Sequence, residues 1–517
     1  MRNFRRVTTL LVLSVGLAAV VGTTAARSGS PGFKTAQGPM IDAVVAGASY
    51  EPFISVGDRL SSGYMFESIP DGISFSKNGK GTVDLFVNHE TSTVPFPGIF
   101  TDFTNAMVSE LRLSQNGGGV LRGRYVIPSS ANFQRFCSSY LATAAEGFDR
   151  ELLFTNEEAT DVVNRTGIAW PATPANGSNP EQAGLVVAYD PKSDEYRPIY
   201  GMGRHNHENA VAIPGYGHPV VLSGDDTFTS NPAQSQLYSY IAEDADAVWD
   251  DEGELYGLVL DDMDINDYYD FGLSSPRSES GTFKKILKAD AIGDQTKLET
   301  ASDALNVFQF VRVEDIAYDR RPGMQNVVYV ADSGRGSASA SGNAFASTNG
   351  RIWKLVLDKD DPKKVLSLSI LIEGDDAPLK APGEIHQPDN LETTARSLLV
   401  TEDPGSGQQF PFGSTDPNAT TARIWQYGLA AGTPTRVVAK VNQSADEGPT
   451  DEDAATTRGN LGAWESSGII DASEVFGPGA FLVDVQAGTL VIDEEKRGNL
   501  TYQRDGGQLG LLRIPGA

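Results

Sequence analysis

An all-β fold, and within it a six-bladed β-propeller, is predicted by three observations on the 517 residues. Helical periodicity is scarce, whereas short β-branched and aromatic runs bounded by Gly, Pro, Asn and Asp recur along the chain. Six of these runs share an ending in which a carboxylate terminates the run or lies inside it. The six are spaced at roughly seventy residues with one wider interval, and self-similarity at a long period marks an array of like units.

Taken in order, TVDLFVNHE (82–90) is tipped by Glu90, and ELLFTNEE (151–158) ends in Glu157 and Glu158. HPVVLSGDD (218–226) ends in Asp225 and Asp226, and the segment 227–310 that follows reads as an insertion. NVVYVADSG (326–334) encloses Asp332, SLLVTEDPG (397–405) encloses Glu402 and Asp403, and AFLVDVQAG (480–488) encloses Asp484. In a propeller the innermost strands run parallel around one axis, so equivalent strand ends meet at one mouth of the channel. Carboxylates crowded there require large pKa shifts or compensating cations, and a metal site at the mouth is expected. A single acidic strand end is an ordinary turn former; the agreement of six is what favours a site.

A second series precedes four of these ends: HNHE (205–208), RVED (312–315), HQPDN (386–390) and WESSG (464–468). Two polar clusters per unit are what repeated loops facing one cavity would supply.

The formal net charge of -27 argues against non-specific binding to nucleic acid or anionic lipid, which needs a positive footprint, and makes cations the natural partners. Residues 1–26, with an Arg-rich start, an apolar run and the small residues Thr24 and Ala26 at the end, read as an export signal. Arg5-Arg6 leaves the twin-arginine and general secretory routes both open. The remainder, 27–517, is expected to be one propeller domain, soluble, monomeric and periplasmic or secreted. Cys137 is the only cysteine, so no intrachain disulfide can form, and a lone exported thiol calls for a reason.

The blocks NHE at 88–90, GRHNHE and GDD within 203–226, R-x-E-D at 312–315, QPDN at 387–390 and WESSGIIDAS with FLVDVQA within 464–487 resemble the PhoX family of exported bacterial alkaline phosphatases. The resemblance implies a six-bladed propeller with iron and calcium in its central mouth that hydrolyses phosphate monoesters. It implies Cys137 as the cysteine bridging iron. Glu90, Glu157 or Glu158, and Glu208 would correspond to carboxylates on iron or calcium. Asp225 or Asp226, Asp315, Asp389 and Glu402 would correspond to further calcium ligands, and Arg312 and Glu314 to the residues that hold the phosphate and tune the reacting oxygen.

The chemistry is coherent on its own terms. Hard carboxylate oxygens suit calcium, and a softer thiolate suits iron or another transition metal. Bound cations reverse the sign of an acidic mouth, and Arg312 adds a planar fork for a phosphoryl group. Two rivals stand beside this reading: a calcium-dependent lactonase or esterase, with Asn156, Asn209 and Asn390 near the metal, and a non-catalytic binding module stapled by calcium. DMDIND (262–267) opens like a calcium loop, but Asp267 and Leu273 fail its Gly and Glu positions, and it reads as a solvated loop. DEGPTDED (446–453) reads as an exposed loop. The histidines lack HExxH spacing and are not expected as direct ligands; no GxxxxGK[ST] or GxSxG motif is present.

Overall fold

The first strand of each repeat is buried on both faces, and burial declines outward. HENAVA (His207–Ala212) and PDNLET (Pro388–Thr393) are buried at every position, whereas the outer strand EYRPI (Glu195–Ile199) alternates exposed and half-buried residues before Ile199. That gradient is what strands packed around a common centre require. The computed structural model describes residues 32–79, 81–95, 99–165, 180–229, 232–272, 277–335, 349–376, 383–404, 418–443 and 462–517. The predicted signal (1–26) and the acidic stretch 446–453 lie outside the described residues. No helix among the described residues is long and apolar enough to cross a membrane.

The expected all-β class holds, and it is organised as six antiparallel meanders of four strands. Sheet one is Pro70–Lys77, Thr82–His89, Met107–Ser114 and Val120–Ile127. Sheet two is Phe136–Ala142, Leu152–Glu157, Val186–Asp190 and Glu195–Ile199. Sheet three begins with His207–Ala212 and Val220–Asp225, sheet four with Val313–Tyr318 and Val327–Asp332, and sheet five with Pro388–Thr393 and Ser397–Glu402. Sheet six is Trp464–Asp471, Ala480–Arg497 and Leu500–Arg513, completed by Ser49–Ser55 from early in the chain, while the strand before it, Ile41–Ala43, pairs with Arg436–Val441 of sheet five. The first strand of each sheet contacts the first strand of the next, and the sixth contacts the first.

Six apolar clusters fill the spaces between consecutive sheets, including the space between sheet six and sheet one. Each fully buried Val, Leu, Ile or Phe contributes about 1.5 to 3 kcal/mol, and with every sheet packed on two neighbours the ring holds its centre open for polar groups. The stretch 227–310 contains the outer strands of sheet three, Leu237–Ile241 and Glu254–Leu260, as well as additions. Among the additions, Ser278–Lys285 pairs with both Glu254–Leu260 and Lys364–Glu373 and joins sheets three and four. The helix Gln295–Leu305 is capped by Asp294, whose side chain accepts from the Lys297 amide. DMDIND is a bend and turn with mostly exposed side chains, as expected of a solvated loop.

One irregularity is repeated in all six sheets. The pairing of first and second strand slips after Pro70, Phe136, His207, Val313, Pro388 and Ser466, where a β-bulge adds residues to the first strand. In five sheets the residue just past the second strand donates its amide to the carbonyl two residues before the bulge: Glu90 to Ile69, Glu158 to Arg135, Asp226 to Asn206, Ser333 to Arg312 and Asp403 to Gln387, at 2.9 to 3.1 Å. Ile69, Arg135 and Gln387 occupy equivalent positions with φ of 47°, 42° and 53°. Left-handed backbone at a β-branched residue such as Ile69 is strained, and strain of this kind clusters where function needs a fixed geometry.

Candidate metal centre

The bulges explain how strands meet at a site. The first bulged residue of each sheet is Asp71, Cys137, Glu208, Glu314, Asp389 and Ser467 in turn; the second is Gly72, Ser138, Asn209, Asp315, Asn390 and Gly468. The residues just past the second strands, Glu90, Glu158, Asp226, Ser333 and Asp403, join the first set, and Gln486 takes the corresponding place in sheet six, its amide donating to Glu90 at 3.0 Å. The second set lines a cavity of about 490 Å³ on one side. Glu90 and Glu158 reach a cavity of about 450 Å³ on the other, walled by Phe100, Arg135, Phe228 and the hairpin residues Gln503 and Asp505.

Three overlapping groups of ligand atoms result among the described residues: Asp71, Glu90 and Cys137; Cys137, Glu158 and Glu208; and Glu208, Asp226 and Glu314, the atoms of each group within 4.8 Å of one another. The donors fit metal. The third group offers only hard oxygens, suited to calcium, while Cys137 gives the other two a sulfur that suits a transition metal. Buried Glu208 Oε2 has no hydrogen-bond partner. Burial first, and then the charge of Asp71, pushes the Glu90 carboxyl up to about 8. Glu158 is raised by burial, Asp226 and Glu90, and Glu208 by burial, Glu314 and Glu158. Burial and the charges of Asp71, Glu208, Glu90 and Glu158 likewise push the Cys137 thiol up, and Cys137 Sγ donates to Asp71 Oδ2 at 2.8 Å. Groups that hold protons because anions crowd them are groups from which a cation displaces protons.

Arg312 faces this set. Its Nε and Nη2 donate to Asp226 Oδ1 and Oδ2 at 2.8 and 2.7 Å, and Nη2 lies 2.7 Å from Glu314 Oε1. Burial would lower its pKa, but Asp226 and Glu314 outweigh that and hold it raised. Glu314 Oε1 also accepts from Ser333 Oγ at 2.6 Å. Over the guanidinium, 4.2 Å from its carbon, lies the ring of Phe228.

The structure brings Glu90, Cys137, Glu158, Glu208, Asp226, Arg312 and Glu314 together. Asp389 sits in the same ring, its carboxyl raised by burial and by Glu314, Asp71 and Asp403. Five expected ligands lie outside the three groups: Asp389, in the ring beside them, and four that other residues hold. Glu157 is gripped by Arg165 and accepts the amides of Gln134 and Leu185. Glu402 is held by Arg423, Trp425 Nε1 and the His386 amide. Asp225 lies against His205, 3.8 Å from its Nδ1, and Asp315 is satisfied by Asn209 and the amides of Ile316 and Leu391. Strand alternation is the reason for three of them: Glu157, Asp225 and Glu402 are the last residues of second strands, and their side chains turn away from the side that the next residues, Glu158, Asp226 and Asp403, face. Asp332 behaves likewise, accepting from Trp353 Nε1 and the Arg312 amide. Asp484 is buried behind the ring, raised by burial and Asp71.

Sequence reasoning missed Asp71 and Glu465. Asp71 sits in IPDGIS, which reads as a turn. Glu465 lies in the WESSG cluster, and burial together with Asp403, Asp389, Asp71 and Glu90 raises its carboxyl. His205 and His207 lie 3.5 Å apart between ring centres with their planes tilted by 36°, burial keeps both neutral, and none of the three groups contains a histidine. The amide nitrogens of Asn156 and Asn390 donate to Ser138 and that of Asn209 to Asp315, while Oδ1 of Asn156 and of Asn390 is buried without a hydrogen-bond partner.

The family model for the alkaline phosphatase PhoX matches residues 139–451, more than half of the chain. The chain belongs to the PhoX alkaline phosphatase family. The matched stretch carries Glu158, Glu208, Asp226, Arg312, Glu314 and Asp389, and Cys137 lies just before it. Membership supports phosphatase-type hydrolysis, and the carboxylate groups are sites where such an enzyme could hold metal. No curated protein sequence matches the chain. Among solved structures, a protein of unknown function from Dyadobacter fermentans shares 9% identity over 92% of this chain and 100% of its own, with a TM-score of 0.42. An α-L-arabinofuranosidase from Fusarium graminearum shares 9% over 90% of this chain and 98% of its own, at 0.39. At these scores the likenesses carry no inference.

Proposed function

We propose that the protein is an exported, metal-dependent phosphomonoesterase acting on small phosphoesters, with calcium at the carboxylate groups and iron at Cys137. The six meanders, with inner strands in a closed ring, are read as the blades of one propeller over residues 27–517, and the three groups as its channel mouth. The observation that carries the reading is Arg312, buried between Asp226 and Glu314 at the edge of the Glu208–Asp226–Glu314 group.

Bound cations supply the positive charge that admits a phosphate dianion to an acidic mouth and polarises its oxygens. Asp226 and Glu314 would hold a cation, and carboxylates engaged that way would share less charge with Arg312, whose guanidinium fork would orient two phosphoryl oxygens. Hydrolysis adds water at phosphorus and breaks the ester P–O bond, so a proton must leave the water and one must reach the leaving oxygen. Glu314, raised by burial and fixed through Oε1 by Ser333 and Arg312, holds or passes that proton at Oε2. Phe228 and Phe100 wall the cavity that would receive the organic part of the ester.

After export the protein is periplasmic or secreted, monomeric, and binds neither nucleic acid nor membrane. The test is hydrolysis of an aryl phosphate against the matching aryl ester, before and after chelation and after calcium return. Metal-dependent turnover of the phosphate alone supports the proposal; turnover of the ester alone supports the lactonase or esterase.

A further inference from the structure

Ser138, the second bulged residue beside Cys137, gathers side chains from four sheets. Its carbonyl accepts from Asn88 Nδ2 at 3.1 Å and Asn156 Nδ2 at 2.8 Å. Its hydroxyl accepts from Asn390 Nδ2 at 2.7 Å and donates to Glu208 Oε1 at 2.9 Å. All five residues are at most 3% exposed. Asn88 also donates to the Cys137 carbonyl, so the same clamp fixes the backbone that carries the thiol.

The donor arithmetic leaves one arrangement. Once a cation has displaced the proton that crowding leaves on Glu208, the carboxylate can only accept; a serine hydroxyl has a single proton, so the bond to Glu208 consumes it and Asn390 must present its NH₂ group. With Oε1 committed to Ser138, Glu208 has Oε2 left over, buried and without a partner. Glu208 is the residue shared by the Cys137–Glu158–Glu208 and Glu208–Asp226–Glu314 groups.

We propose that Ser138 is a positioning residue for the metal site, its hydroxyl, polarised by Asn390, fixing Glu208 so that Oε2 serves the two groups that share it. The inference rests on the metal-site reading above. Partners that orient a ligand typically change metal affinity ten- to a hundredfold when removed.

The experiment is calorimetric titration of the metal-stripped full-length protein with calcium alone, for the parent, Ser138→Ala, Ser138→Thr, Asn390→Ala and the double alanine variant, each checked for a parent-like melting profile. Ser138→Ala weakens calcium binding by about tenfold or more, and Ser138→Thr, which keeps the hydroxyl, stays near the parent. The double variant binds like Ser138→Ala, because Asn390 acts through the serine. Parent-like affinity in Ser138→Ala, or independent multiplying losses in the double variant, overturns the proposal while leaving the metal site standing. Should Ser138→Ala fail to fold, Asn390→Ala with unchanged affinity overturns it instead. A parent that binds no calcium at all overturns the metal reading and the proposal together.

Discussion

Arg312 grips Asp226 through two parallel hydrogen bonds of 2.8 and 2.7 Å, joining the residue just before the first strand of sheet four to the one just past the second strand of sheet three. A bidentate pair of this kind depends on the planar fork as much as on the charge. Arg312→Lys keeps the charge and loses the fork, so kcat/KM for an aryl phosphate falls about ten- to a hundredfold, roughly 1.4 to 2.7 kcal/mol of transition-state binding. Glu314→Gln lowers kcat in a protein that still folds. Steady-state kinetics beside thermal melts check both, and parent-like turnover in both would put the chemistry elsewhere.

Glu157 and Glu158 are neighbours with opposite duties. Glu157→Gln weakens a buried pair with Arg165 and lowers the melting temperature, by the equivalent of up to about 3 kcal/mol, while metal content stays at the parent level. Glu158→Gln does the reverse, removing a ligand from the Cys137–Glu158–Glu208 group with little loss of stability in the stripped protein. Melting curves and elemental analysis of the two variants decide between this register and the opposite one.

The same pair shows how far the sequence could be read. Hydrophobic runs with acidic ends reveal six repeats and the part of each that approaches the centre, since strand composition and turn residues are local properties. Which of two adjacent carboxylates faces the centre depends on where pairing ends, and a one-residue slip exchanges the faces. Glu157, Asp225 and Glu402 were therefore indistinguishable in sequence from Glu158, Asp226 and Asp403. The bulges are hidden for a related reason: the extra residue exists only relative to a partner strand. Asp71, between Pro70 and Gly72, looks like a turn, although its carboxylate accepts from Cys137 at 2.8 Å and from Ser467 at 2.7 Å.

Crowded carboxylates also predict the pH response. Glu90 rises from 4.5 to about 8 on burial beside Asp71, and Asp102 and Glu392 are pushed up to about 7, again chiefly by burial. An acid whose folded pKa is raised binds more protons folded than unfolded, so its contribution is present below the unfolded value and is lost as pH rises through the folded one. Metal-stripped protein thus loses stability between about pH 4.5 and 8. Calcium competes with those protons and flattens the curve. Melting temperatures across this range, with and without calcium, test it; a stripped protein that grows steadily more stable toward pH 8 contradicts it.

Cys137 predicts a spectroscopic signature. A buried cysteine with no metal duty would tolerate Cys137→Ser at modest cost in stability and none in turnover. Here Sγ lies within two of the three ligand groups, and a thiolate on a ferric ion absorbs visible light by charge transfer. Purified protein is expected to be coloured and to contain iron, and Cys137→Ser to lose colour, iron and phosphatase activity while the Glu208–Asp226–Glu314 group still binds calcium. A colourless, iron-free and fully active parent would leave a calcium-only centre.

Gly72 tests whether the bulges hold the centre together. A Cβ on this residue would sit 2.3 Å from the Ser139 amide nitrogen and 2.4 Å from the Ser138 carbonyl carbon, contacts with backbone that no side-chain rotation can relieve. Its φ lies outside the left-handed region, so the constraint is space alone. Gly72→Ala must push the first inner strand away from the second, at an overpacking cost of about 1 to 3 kcal/mol. What moves is the segment that carries Cys137 and, through Ser138, orients Glu208. Metal content and activity should therefore fall far more than the melting temperature alone would suggest. Gly38→Ala, where an added Cβ meets nothing within 4 Å, is the control and should match the parent in all three measurements. If Gly72→Ala lost stability yet kept its metal and turnover, the first and second inner strands would be shown to separate without disturbing the ligands, and the bulge ring would be scaffolding rather than part of the site.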